Sequence, residues 1–149
     1  MKTILFVCTG NSCRSVMAEG LLKKRLEEEG DAEGQVLSAG TDTYNGMLPT
    51  PETVQVMRGV GVDVSRHWGQ PVTPELIARA DAIFCMMESH RERILYMDPR
   101  VERKVFLMNP PIPDPIGGSI AVYEICLRTI GEAVERVLDW LQIERKRSG

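Results

Sequence analysis

Ile4-Leu5-Phe6-Val7-Cys8-Thr9-Gly10-Asn11-Ser12-Cys13-Arg14-Ser15 runs into Met17-Ala18-Glu19-Gly20-Leu21-Leu22. An uninterrupted apolar run reads as a strand buried on both faces, and the apolar spacing after Ser15 reads as a helix. Between them lies a short polar loop with a glycine and an asparagine, the residues that tolerate left-handed backbone. A loop that ends a strand and starts a helix aims backbone N–H groups and the positive end of the helix dipole at one point. Such a point binds an anion. A cysteine at the mouth of that loop, Cys8, sits where the field favours a thiolate nucleophile. Arg14, six positions on, brings a planar fork that matches two phosphate oxygens. The spacing Cys-x5-Arg is weak evidence alone; its weight comes from the strand before it, the helix after it and Ser15 beside it.

The rest of the chain alternates in the same way. Ser15 to Glu29 is a helix with Met17, Leu21, Leu22 and Leu26 inward, ended by Gly30. Gln35 to Ser38 is a second strand, followed by a polar loop through Tyr44, Asn45, Gly46 and Pro49. Thr50-Pro51-Glu52 and Thr73-Pro74-Glu75 each give a capped helix start, leading to helices that end near Gly59 and Ala80, with Val60 to Ser65 as an extended connector. Ala82 to Met86 is a third strand, Ser89 caps a helix to about Met97, and Lys104 to Leu107 is a fourth strand. A proline-rich loop covers Asn109 to Gly118. Ser119 to about Arg145 closes the chain as a long helix, apolar at Val122, Ile125, Cys126, Ile130, Val134, Val137, Leu138 and Leu141. Tyr123 falls on neither stripe and reads as an ordinary helix residue. The expected fold is α/β: one three-layer domain spanning residues 1–149, with a four-stranded parallel sheet and helices on both faces. Ligands of such sheets bind beyond the carboxyl ends of the strands, where both the Cys8 loop and the Asn109 to Gly118 loop are placed.

Composition narrows the function. With 149 residues and a formal net charge of −3, there is no basic surplus for nucleic acid. No apolar segment is long enough to span a membrane. The start Met1-Lys2-Thr3-Ile4 has no secretory cleavage pattern, so a cytoplasmic protein is expected; a monomer is the expected state. The four cysteines show no Cys-x2-Cys spacing, and His67 and His90 stand far apart; neither a metal nor another cofactor is expected. Cys85 and Cys126 read as core.

A thiolate that attacks phosphorus needs an acid to protonate the departing atom. Asp114, in Pro113-Asp114-Pro115-Ile116-Gly117-Gly118-Ser119, is the candidate, because its loop is expected to share the sheet edge with Cys8. Asp98-Pro99 carries the same dipeptide among exposed charges and reads as a helix end.

Taken together, Cys8 to Ser15, Ser38-Ala39-Gly40, Gly61-Val62-Asp63-Val64-Ser65 with His67, and Asp114-Pro115 resemble the low-molecular-weight protein tyrosine phosphatases over nearly the whole chain. The resemblance implies a cysteinyl-phosphate intermediate. Cys8 is then the nucleophile, Arg14 the phosphate clamp and Asp114 the acid that later acts as base. Thr9, Gly10, Asn11, Ser12, Cys13 and Ser15 form the substrate loop, and Asn11, Ser15, Ser38 and His67 match positions that brace it. Cys13 matches a redox partner able to form a reversible disulfide with Cys8. Two features depart from the tyrosine phosphatases. Val16 stands where proline is common, and Ser12 replaces an apolar branched residue, while no aromatics follow Asp114. That pattern looks like the bacterial protein-arginine phosphatases of the same fold, whose loop carries threonine at the Ser12 position. A planar, polar guanidinium needs hydrogen-bond acceptors, which a hydroxyl supplies and a methyl does not. Phosphorylated proteins are the expected partners, with phosphoarginine favoured over phosphotyrosine. Arsenate reduction is a remote alternative that requires a mobile resolving cysteine, and a sugar-phosphotransfer carrier would leave Arg14 and Asp114 idle.

Overall fold

In the computed structural model, which describes residues 2–148, four parallel strands stand in the order β2-β1-β3-β4. They are β1 (Thr3–Cys8), β2 (Gln35–Gly40), β3 (Ala82–Cys85) and β4 (Val105–Leu107). Every residue of β1 is buried, as expected for a central strand covered on both faces. Its side chains alternate between two cores. Ile4, Phe6 and Cys8 join the helices α1 (Arg14–Glu28), α2 (Pro51–Gly59) and α5 (Ile120–Ser148). Leu5 and Val7 face the opposite way, toward Ile77 of α3 (Pro74–Arg79) and Ile94 of α4 (Glu88–Met97). A 3₁₀ turn, Pro99–Lys104, leads into β4. The described residues therefore form one domain with a parallel sheet between two helical layers.

The crossovers place the site. From β1 the chain goes to β2 on one side, then returns past β1 to β3 on the other. The strand order reverses at β1, and its carboxyl end is the crevice where doubly wound sheets bind ligands. Cys8 is the last residue of that strand.

Local differences from the expected elements have local causes. The fourth helix begins at Glu88, with Met87 at the capping position rather than Ser89, because His90 reaches back to the Met87 N–H. On α5, Val122 and Ile125 are 44% and 58% exposed, so they do not belong to the inner stripe, whereas Tyr123 is 1% exposed. Turning the helix to bury Tyr123 moves its neighbours outward, and the tyrosine hydroxyl finds polar partners at Cys13 and Thr50. Lys104 belongs to the 3₁₀ turn rather than β4, its ammonium donating to the carbonyls of Ile77 and Ala80.

Candidate active site

Two helices of this protein start with a threonine cap, a proline and a glutamate: Thr50 accepts the Thr53 N–H, and Thr73 accepts the Leu76 N–H. The first helix starts differently. Cys13 at its capping position makes no side-chain cap bond, and its first turn holds no acid. Free N–H groups and an uncompensated dipole end are the elements of an anion site. The loop leading to it is shaped by Asn11, at φ 53°, a left-handed conformation that asparagine tolerates. The loop also lies close against β2. A Cβ built on Gly40 falls 2.5 Å from the Thr9 carbonyl oxygen and 3.0 Å from the Asn11 nitrogen, so only glycine fits there. Behind it, the Thr41 and Asp42 N–H groups donate to the carbonyls of Cys8 and Thr9.

Asn11 braces the loop with all its bonding capacity. Its Oδ1 accepts from the Gln70 N–H at 3.0 Å and lies 3.2 Å from His67 Nε2. A backbone N–H only donates, so the amide orientation is fixed. The Nδ2 group then donates to Ser15 Oγ at 2.8 Å and Ser38 Oγ at 2.9 Å. Ser38 in turn donates to Glu19 Oε1 at 2.5 Å, and Glu19 Oε2 is paired with Lys23. Ser15 Oγ accepts from Asn11 and keeps its own proton and a second lone pair, and Cys8 Sγ lies 2.8 Å away, so a thiolate there would receive the serine proton. Burial pushes the His67 imidazole below its usual range, against the pull of Glu19.

Arg14 is 2% exposed. Its Nη1 donates to the Ile112 carbonyl at 2.8 Å, and its Nη2 donates to Thr9 Oγ1 at 3.2 Å. A guanidinium carries five N–H donors, so anchoring one on each terminal nitrogen leaves others for phosphate oxygens. The proline-rich loop is drawn to the same place by backbone bonds from Met108 N to the Cys85 carbonyl and from Ile112 N to the Met86 carbonyl. Asp114 Oδ2 lies 3.6 Å from Arg14 Nη2, and its Oδ1 accepts the Ile116 N–H. Cys8, Thr9, Gly10, Ser12, Cys13, Arg14 and Asp114 all line one cavity of about 330 Å³. A larger groove of about 680 Å³ runs between α1 and residues 61–67; it meets His67 but none of Cys8, Arg14 or Asp114, and is edged by lysines and glutamates. Asn11, within the loop, and Ser15, in the first turn of α1, turn away from the cavity, and with Ser38 and His67 they form the bonded network above rather than its lining.

Several members of this arrangement were not anticipated from sequence. Glu19 lies one helical turn after Ser15 and one before Lys23, an i, i+4 spacing that marks a shared face. Thr50 read only as a cap; it also lies 3.7 Å from Cys13 Sγ and 3.3 Å from the Tyr123 hydroxyl. His90 bonds Thr9 across the sheet edge. All four cysteines are free and buried. Burial pushes the Cys85 and Cys126 thiols up to about 12, which suits packing rather than reaction. Among the described residues no group of His, Cys, Asp or Glu is arranged to hold a metal ion, and no helix is long and apolar enough to cross a membrane.

Burial and the neighbouring Arg14 charge lower His90 from its usual 6.5 to about 4, with Asp114 and Asp42 opposing. Between those values the unfolded chain binds a proton that the folded one refuses, so stability rises with pH there. The His90 contribution to the thermal unfolding midpoint should therefore be constant above pH 6.5 and fall as pH drops toward 4. In His90→Asn that slope should be shallower, measured by scanning calorimetry across the same window.

Comparison with known proteins places residues 3–148 within the family described as low molecular weight phosphotyrosine protein phosphatase. The chain is 34% identical over 139 residues to a probable low molecular weight protein-tyrosine-phosphatase, EpsP, of Ralstonia nicotianae, covering 91% of this chain and 92% of that one. It is 33% identical to the protein-arginine-phosphatase of Bacillus subtilis, covering 96% and 99%. It is 30% identical to arsenate reductase 2 of Staphylococcus saprophyticus, covering 93% and 97%. Among solved structures, the YwlE arginine phosphatase, captured as a cysteine-to-serine mutant with its active-site serine phosphorylated, superposes with a TM-score of 0.91 at 32% identity, over 97% of this chain and 98% of that one.

Proposed function

The chain belongs to the low molecular weight phosphotyrosine protein phosphatase family, and from that premise we propose that it hydrolyses phosphoarginine on proteins through a phosphoryl group carried on Cys8. In the first step the Cys8 thiolate attacks phosphorus in line with the leaving nitrogen. The S–P bond forms, the P–N bond breaks, and the carboxylic acid of Asp114 passes its proton to the departing guanidine nitrogen. Arg14 and the loop N–H groups hold the three non-bridging oxygens, where charge gathers in the transition state. In the second step the Asp114 carboxylate takes a proton from water, whose oxygen attacks phosphorus. The S–P bond breaks, inorganic phosphate leaves, and Ser15 Oγ–H again stabilises the thiolate.

The preference for arginine is carried by the cavity wall. It presents two carboxylates, Asp42 and Asp114, and the hydroxyls of Ser12 and Thr50, with Met47, Leu48 and Ile116 as its apolar part. Acceptors and negative charge suit a guanidinium; a phenyl ring would be better served by apolar and aromatic walls. The relative named as an arginine phosphatase supports the same reading. Arsenate reduction is disfavoured because Cys85 and Cys126 are buried and their thiols are held protonated. Within this reading the enzyme acts as a cytoplasmic monomer. Peroxide oxidation of the Cys8 thiolate to a sulfenic acid, followed by attack of the Cys13 thiol with loss of water, gives the reversible protective disulfide.

The test compares kcat/KM on matched phosphoarginine and phosphotyrosine peptides for the wild type and Ser12→Ile. The wild type should favour phosphoarginine. Ser12→Ile removes an acceptor and should shift the ratio toward phosphotyrosine by about tenfold or more, as expected when a site loses a hydrogen-bond partner for its substrate. A wild type that prefers phosphotyrosine would overturn the arginine assignment, and an unchanged ratio in Ser12→Ile would remove Ser12 from it.

A further inference from the structure

One loop hydroxyl receives two donors. His90, 3% exposed at the start of α4, accepts the Met87 N–H at Nδ1 over 3.1 Å. That nitrogen must be unprotonated, so the proton of the neutral ring is on Nε2. Nε2 lies 2.9 Å from Thr9 Oγ1, and Arg14 Nη2 lies 3.2 Å from the same oxygen. A hydroxyl has two acceptor lone pairs and one proton. With both lone pairs taken, Thr9 can only donate, and Thr9 lines the cavity beside Cys8, Arg14 and Asp114.

We propose that His90 is a positioning residue for phosphoryl transfer. Its Nε2–H, together with Arg14 Nη2, fills the acceptor side of Thr9 Oγ1, which commits the threonine hydroxyl to donate to the phosphoryl group and holds the guanidinium beside it. This rests on the phosphatase reading, because the hydroxyl needs a phosphoryl oxygen to receive its proton. A carboxylate at position 90 would reverse the hydroxyl, drawing its proton out of the cavity. A cation there would repel Arg14. A neutral imidazole does neither, and burial with the Arg14 charge keeps it neutral down to about pH 4.

The two nitrogens of His90 do different things, which separates positioning from folding. In His90→Asn the amide oxygen stands near the former Nδ1 and keeps the bond to the Met87 N–H, but nothing reaches Thr9. In His90→Gln the amide nitrogen reaches the former Nε2 position and restores the donor, while the bond at Met87 is lost. With the full chain and p-nitrophenyl phosphate, kcat should fall about tenfold in His90→Asn, the order expected for one net hydrogen bond, with an unchanged unfolding midpoint at pH 7.5. Most of that loss should return in His90→Gln, although its midpoint falls. Thr9→Val should show a similar kcat loss, and His90→Asn added to it should change kcat less than twofold. Activity in His90→Asn within twofold of wild type, a kcat that tracks the unfolding midpoint across the variants, or full additivity with Thr9→Val would overturn the proposal while leaving a Cys8-dependent phosphatase intact. Wild-type hydrolysis that survives Cys8→Ser would instead overturn the phosphatase reading, and this inference with it.

Discussion

Cys8→Ser should lower kcat for p-nitrophenyl phosphate by about 10⁴-fold or more, the scale seen when a nucleophile is removed from a covalent mechanism. The substitution is nearly isosteric, and the new hydroxyl still meets Ser15 Oγ at the end of a fully buried strand, so the unfolding midpoint should scarcely move. What changes is ionisation. A serine hydroxyl is a far weaker acid than a cysteine thiol and so a poorer nucleophile, while Ser15 Oγ and an uncapped helix end still face that atom. Cys126→Ser supplies the contrast. Its thiol, on the inner face of α5, meets the Pro113 carbonyl, so that variant should keep its activity and show any effect in stability. Steady-state kinetics with calorimetry on both variants checks the pair.

Asp114→Asn should lower kcat/KM on phosphoarginine or phosphotyrosine peptides by about 10²–10⁴-fold, the range of general acid catalysis. The loss should be smaller for p-nitrophenyl phosphate, whose leaving group departs without a proton. The asparagine can keep the bond to the Ile116 N–H, so the loop should stay in place and the loss should be chemical. A uniform loss across leaving groups would assign Asp114 to binding through Arg14, 3.6 Å away, rather than to proton transfer. In the proposed mechanism the same variant would lack the base of the second step, so with an activated substrate the phosphoryl group should enter faster than it leaves and accumulate on the enzyme.

What the sequence made visible was local. The apolar run of β1, the polar loop and the amphipathic α1 follow from spacing along consecutive residues, and the Thr-Pro-Glu helix starts follow from capping chemistry. The loop holding Asp114 could be placed because strand alternation puts all loops of one kind on one sheet edge. The contacts that hold the site in shape are of another kind. Thr9 meets His90 across 81 positions, and Cys13 meets Tyr123 across 110. No periodicity encodes such pairs, since each depends on where two packed elements finally lie. Tyr123 shows the limit most plainly: off the apolar stripe it looks incidental, yet it is fully buried because its hydroxyl finds polar partners behind the loop. His90 escaped for a related reason, since a lone histidine after a serine looks like helix surface until its ring is seen to lie between Met87 and Thr9.

The most direct test of the account is to mix Asp114→Asn with p-nitrophenyl phosphate, quench within the first turnovers and locate any added phosphoryl group by peptide mass spectrometry. The account predicts a phosphoryl group on Cys8, and in the Cys8→Ser/Asp114→Asn double variant no phosphoryl group at any position other than 8. A phosphoryl group on any other residue, or hydrolysis that proceeds at the wild-type rate in Cys8→Ser, would contradict it.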